Sequence, residues 1–267
     1  MSDENLVTKA EAGNPEAQES DDAGLVERVM ARKTRRSFLV GGLAAIAGAG
    51  AWEWLDSRRP DDGVMWPLRL TLRANEQLWR DYSSPRRLAR TFDPADIEAP
   101  RPNGNVGLEN EPDPDWSLAV DGITDADGPL TLGMSEIQKL PKAEMITELK
   151  CIEGWSRVLQ WGGVRFQDFA ATYAAQNTDP NSYVGLETPE QDYYVGLDMA
   201  SAMHPQTLLC WEMNGAPLTA KHGAPLRLVV PLKYGIKNLK RIGRIVFSAT
   251  RPADYWSERG YDYYAGF

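Results

Sequence analysis

The run of small and apolar residues from Val40 to Ala51, set directly behind Arg35-Arg36, limits the fold more than any other feature of the chain. It carries Gly41, Gly42, Gly48 and Gly50, and each glycine weakens a helix interior by about 1 kcal/mol, so it makes a poor core helix. Paired arginines, Phe38 two positions on, and a mildly apolar stretch reaching Ala51 have the form of a twin-arginine export signal. The stretch is shorter than the roughly 20 residues a transmembrane helix prefers. Two outcomes stay open: cleavage after Ala49-Gly50-Ala51, or extension through Trp52, Trp54 and Leu55 into a retained anchor. Upstream, residues 1–30 hold eight acids against Lys9 and Arg28 with hardly any large apolar side chain, so 1–34 reads as a disordered acidic tail. Residues 35–55 are then the signal or anchor. The expected location is the periplasm or the outer face of the cytoplasmic membrane, reached through the twin-arginine machinery. That route carries folded passengers, which favours a protein that takes up a complex cofactor before export.

Behind the signal, composition removes several kinds of site. The 267 residues include 38 Asp and Glu against 29 Lys and Arg, a net charge of -9, which argues against nucleic acid as a partner. Two Cys and two His are too few for zinc ribbons, iron–sulfur clusters or a disulfide framework, and no haem motif is present. Cys151, His204, Cys210 and His222 contain no C-x-x-C or H-x-x-x-H unit, so they do not read as a zinc site. There is no Walker loop and no G-x-S-x-G elbow. For an exported chain, a Cys151–Cys210 disulfide is the structural alternative to a functional thiol.

Residues 56–115 are rich in Arg, Asp and Pro and read as an irregular lead-in with one short helix around 73–79. From 116 to 267 the pattern is that of a folded domain. Strands are expected at 116–120, 130–132, 145–150, 183–186, 193–197, 207–212, 226–230 and 242–248, with helices after Ser135, at 166–175 and at 198–203. Asn214-Gly215 marks a hairpin turn. Strands outnumber helices, so the expectation is an α+β domain with a mixed, curled sheet. The strand at 145–150 delivers Cys151 at its end, where such sheets tend to keep chemistry.

One block opposes the overall charge. Between Glu212 and Asp254 there is no acid, whereas Lys221, Arg227, Lys233, Lys237, Lys240, Arg241, Arg244 and Arg251 are basic. Two explanations compete: a solvated strand face paired with acids elsewhere, or a cradle for a compact anion built from arginine forks and backbone N–H groups.

Four segments settle which family this resembles. Cys151-Ile-Glu-Gly-Trp-Ser-Arg-Val-Leu-Gln-Trp161, His204-Pro-Gln-Thr-Leu-Leu209, Asn214-Gly-Ala-Pro-Leu218 and the run from His222 to Lys237 together resemble the molybdopterin-binding domain of the sulfite oxidase family. The likeness runs from about Asn103 to Phe267. It is greatest to the periplasmic branch that holds the protein-methionine-sulfoxide reductase catalytic subunits. The resemblance implies a sulfite-oxidase-type fold and an oxidoreductase using molybdenum–molybdopterin for oxygen-atom transfer, in the direction of sulfoxide reduction. It implies that Cys151 ligates the metal, a soft thiolate being suited to that role, while the cofactor supplies its own sulfurs. Asn103, Val106, Gly107, Thr178, His222, Arg227, Gly235, Ile236 and Lys237 would hold the pterin and its phosphate, and Trp155, Arg157 and Tyr264 would wall the substrate pocket. The substrate would be a small or protein-bound sulfur compound, with electrons coming from a membrane cytochrome b. Two departures leave other outcomes open. His222 stands where the reductases tend to carry Asn and sulfite oxidases His, and the arginine-rich stretch of sulfite oxidases is missing after Cys151. Sulfite oxidation is one alternative, and a non-catalytic exported binding module is the other.

Overall fold

The computed structural model describes residues 15–58, 64–82, 84–124 and 127–267. The chain divides into two compact units between residues 59 and 60. The first holds one long helix, α1 (Pro15–Asp56), in which Arg32–Asp56 is long and apolar enough to cross a membrane by length and composition. The expected disorder over 1–34 falls partly on residues outside the described ones. From Pro15 onward the described backbone is helical, in keeping with the helix propensity of Glu, Gln, Ala, Arg, Met and Leu.

In the second unit the lead-in carries α2 (Trp66–Tyr82), 17 residues long rather than one short turn. Its inward face is polar. Arg69 is buried and donates to Ser257 Oγ at 3.1 Å and to its carbonyl at 2.9 Å. Asn75 donates to Asp262 at 2.8 Å, and Glu76 pairs with Arg251 at 3.1 Å. Leu68, Leu70 and Leu72 alternate in sequence like a strand, which hid the helical register of this segment.

The domain proper is built from β1 (Leu118–Asp121), β2 (Leu130–Leu132), α3 (Met134–Ile137), β3 (Lys142–Lys150), β4 (Ser156–Arg165), α4 (Phe166–Tyr173), β5 (Tyr183–Glu187), β6 (Tyr194–Asp198), α5 (Met199–Ala202), β7 (Leu208–Met213), β8 (Ala216–Pro217), β9 (Arg227–Val229) and β10 (Arg244–Ser248). They form two sheets rather than one curled sheet. The first, in the order β2-β1-β10-β5-β6, is mixed, with β1 and β10 parallel and every other pair antiparallel. The second runs β3-β4-β7-β8 with β9 also on β7, and is antiparallel throughout. Strand β4, the long partner of β3, has no counterpart in the sequence reading. Gly162-Gly163 interrupts its apolar pattern, and the register with β7 shifts there.

Phe166, Phe169, Val184, Leu186, Ile245 and Phe247 meet in the main core, which includes α4 and the first sheet. A smaller cluster of Leu159, Trp161, Leu208, Met213 and Val229 belongs to the second sheet. Burying each such side chain contributes about 1.5–3 kcal/mol. Asn214 and Gly215 both have positive φ, 52° and 74°, as a tight hairpin between β7 and β8 requires.

The basic block splits between its two explanations. Lys237 pairs with Asp254, Arg244 with Asp121 and Glu187, and Arg251 with Glu76. Buried Lys233 lies over the Tyr264 ring, 2.8 Å from its centroid. Arg227 and Lys240 have no carboxylate partner among the described residues and converge elsewhere.

Candidate active-site cavity

Strand β3 ends at Lys150, and the chain turns through Cys151-Ile-Glu-Gly-Trp155 into β4. The Cys151 N–H donates to the Trp155 carbonyl at 2.9 Å, and the Gly154 N–H to the Cys151 carbonyl at 3.1 Å. Gly154 takes φ +85°, a value that favours glycine. This turn fixes Cys151 in the wall of a cavity of about 400 Å³, within the range of small-molecule and cofactor sites. Both cysteines are free thiols, so the disulfide alternative is not realised. Cys210, fully buried on β7, has its thiol pushed up by burial.

Four segments close on Cys151. The lead-in brings Asn103, whose Nδ2 donates to Cys151 Sγ at 3.3 Å, together with Gly104 and Val106. The turn at 235–237 presses on the other side, where a Cβ on Gly235 would stand 3.4 Å from the Lys150 carbonyl and 3.9 Å from Cys151 Cα. His222 comes from the turn at 220–222 and Arg227 from the start of β9. Tyr193, Trp256 and Tyr261 add an aromatic wall, in which Trp256 Nε1 donates to Tyr193 Oη at 3.0 Å and Tyr193 Oη donates to the Ile236 carbonyl at 2.6 Å. Arg101 lies over the Trp155 ring, 4.7 Å from its centroid, and Trp155 Nε1 donates to Glu153 at 3.1 Å.

The floor is cationic. Arg227 is buried, 4.9 Å from the Trp161 ring centroid, and donates to the His222 carbonyl at 3.1 Å; its Nε has no hydrogen-bond partner among the described residues. Burial pushes its guanidinium down to about 10. Lys240 donates to the Asn103 carbonyl and, at 3.0 Å, to that of Gly104; burial first and Arg227 second push its ammonium down to about 8. His222 is lowered by burial, then by Arg227 and Lys240, which favours its neutral ring. The one acidic residue lining the cavity, among those described, is Glu153. A buried and a half-buried cation facing a space without a carboxylate partner among the described residues leave charge to be neutralised by an anion.

The structure brings Asn103, Val106, Cys151, Trp155, His222, Arg227, Gly235 and Ile236 to this cavity. Five expected residues are not on its lining. Gly107 is a packing glycine at φ +73°, where a Cβ would meet Thr188 Cγ2 at 2.5 Å. Thr178 is half-buried and donates to the Ala175 carbonyl at 3.2 Å, closing its own turn. The Lys237 ammonium turns away into a buried pair with Asp254 and donates to the Gly196 carbonyl at 2.9 Å. Arg157 is drawn to Glu98 at 3.6 Å and to its neighbour's carbonyl. Tyr264 packs on Lys233. Conversely, Lys240, Arg101, Tyr193, Trp256 and Tyr261 line the cavity without having been singled out for it. Only Lys240 left a signal, as a member of the basic block.

Comparison with known proteins agrees with this geometry. The family described as oxidoreductase molybdopterin binding domain matches residues 104–256. A provisionally named protein-methionine-sulfoxide reductase subunit, YedZ1, of Azospira oryzae is 32% identical over 251 residues, 92% of this chain and 91% of that protein. The protein-methionine-sulfoxide reductase catalytic subunit MsrP of Campylobacter jejuni is 36% identical over 56% of each chain. That of Xanthomonas campestris is 39% identical over 54% of this chain and 48% of its own. The chain thus matches about half the length of these catalytic subunits.

Proposed function

Because this chain belongs to the family of oxidoreductase molybdopterin-binding domains of the sulfite oxidase type, we propose that it is an exported enzyme that reduces sulfoxide-type substrates at a molybdenum–molybdopterin centre. The observation that carries the reading is a free thiol, Cys151, set in a cavity whose cations, buried Arg227 and half-buried Lys240, lack a carboxylate partner among the described residues. The residues fit the group: a single soft ligand for the metal, an orphaned Arg227 Nε for a phosphate oxygen, and a glycine turn at 235 that leaves room beside Cys151. Cys151 would ligate the metal, with Asn103 fixing the thiolate by its Nδ2. Val106, His222, Arg227, Gly235 and Ile236 would hold the pterin and its phosphate. When bound, the cofactor supplies two-electron oxygen-atom transfer, and the protein supplies placement and charge.

Trp155, Arg101 and Tyr261 stand on the lining, where a sulfur substrate would meet an amphipathic aromatic wall. The protein-methionine-sulfoxide reductase names of its relatives support the direction of reaction. Electrons would come from a membrane cytochrome b, and the Arg35-Arg36 signal would take the folded protein through the twin-arginine route. Metal and pterin content, measured on natively exported protein and on Cys151→Ala, tests the site; full molybdenum retention in the variant refutes the ligand assignment. Methionine sulfoxide reduction with a viologen donor, set against sulfite oxidation, tests the direction; activity with sulfite alone transfers the assignment to the reading that His222 favours.

A further inference from the structure

Exposed large apolar side chains are concentrated in one part of the second unit. Among its described residues, all of them fall between Met65 and Leu88 except Val106 and Tyr261, which belong to the cavity. The helix responsible is α2, and its polarity is inverted. Arg69, Asn75, Glu76 and Arg80 face the domain and are hydrogen-bonded there. Leu70, Ala74, Leu78 and Tyr82, four residues apart, run along the exposed side, with Leu70 55% and Leu78 65% accessible. A helix docked on a soluble domain normally shows the reverse arrangement. Exposed apolar surface this concentrated marks an interaction site.

Two observations point to the occupant. The segment Arg32–Asp56 has the length and composition of a membrane span, and nine residues separate α1 from α2 in sequence, a tether reaching roughly 30 Å when extended. The second is charge. Residues 57–90 carry eight arginines, of which Arg69 and Arg80 are turned to the domain, against four acids in a chain of net charge -9, and Trp66 and Tyr82 stand at the two ends of α2. Basic residues beside an apolar helical stripe, with amphipathic rings at its ends, are the chemistry of helices that lie in the lipid headgroup layer.

We propose that α2 is an interfacial helix that beds its apolar stripe in the surface of a phospholipid bilayer and holds the oxidoreductase body there. The proposal takes the α1 span as retained and is independent of the cofactor chemistry. The test uses the full chain reconstituted in vesicles of mixed zwitterionic and anionic phospholipid. Nitroxide labels are placed at Leu70→Cys and Leu78→Cys, with Ala171→Cys at an exposed position of α4 as the aqueous control and the native chain labelled in parallel to correct for Cys151. The expected result is a ratio of oxygen to nickel-chelate collision several-fold higher at 70 and 78 than at 171. Ratios equal to the control overturn the proposal, as does a chain that fails to float with the vesicles. Exclusion of both reagents at 70 and 78 also overturns it, because a protein surface or a second copy then covers the stripe.

Discussion

Replacing Lys237 by methionine separates two roles for one residue. The family likeness implies a side chain that holds the pterin phosphate, whereas the structure directs its ammonium to Asp254, with both side chains essentially sealed from solvent at 1% and 2% accessible. In Lys237→Met, Asp254 keeps the Gly196 N–H at 3.1 Å and the Ser257 N–H at 3.0 Å but loses its counter-ion. The Gly196 carbonyl loses its 2.9 Å donor, and the Tyr263 ring loses one of its two cations, keeping Arg251 at 3.7 Å. Leaving one buried charge without its partner costs about 3–5 kcal/mol. For a domain of this size each kcal/mol moves the midpoint by roughly 2–4 °C, so cofactor-free protein should unfold about 10 °C earlier. Adding Asp254→Asn removes the stranded charge and should recover part of the loss, giving a double-mutant coupling of at least about 1 kcal/mol. Calorimetry of the four cofactor-free proteins reads this directly. An unchanged midpoint in Lys237→Met, accompanied by loss of bound pterin, would refute the buried-pair argument and restore the phosphate role.

Two further perturbations address the cavity wall. Lys240 is lowered to about 8 from 10.5, so between those values the unfolded chain binds more protons and stability rises with pH. Urea unfolding of cofactor-free protein should show the wild type gaining about 1–3 kcal/mol relative to Lys240→Met from about pH 8 to about pH 10; parallel pH curves contradict the burial of that charge. Gly107→Ala places a Cβ 2.5 Å from Thr188 Cγ2 at a φ that disfavours it, which should cost roughly 1–3 kcal/mol. Thr188→Ser, which deletes that methyl, should restore part of it in thermal unfolding, and a Gly107→Ala chain as stable as the native one removes the packing explanation.

The legibility of the sequence varied from element to element for physical reasons. Strands such as β2, β5 and β7 are short, largely apolar runs that end next to turn residues, and local pattern was enough to find them. The glycine pair in β4 and the Leu-x-Leu-x-Leu alternation in α2 gave local signals contrary to the structure, because pairing with β3 and polar anchoring to 251–262 determine those segments. Cys151, Arg227 and Gly235, expected together from the family motif, line one cavity. Arg157, Thr178 and Lys237, expected with them, are not on its lining, since an acid or carbonyl distant in sequence or local to a turn binds each side chain. Glu98 and Asp254 carry no mark in the sequence that assigns them such partners. Tyr193, Trp256 and Tyr261 join the cavity from separations that periodicity cannot express.

The lead-in that closes the cavity is attached differently from the sheets behind it. Residues 103–110 are held by Lys240 on two carbonyls, by Arg241 on the Asn110 carbonyl and by Asn103 on a thiol, with Gly107 their one buried residue. Their opening free energy is therefore set by a few polar contacts and stands well below that of the strands, whose release requires exposing the core. Hydrogen exchange in this strip should follow its own clock, faster than that of either sheet.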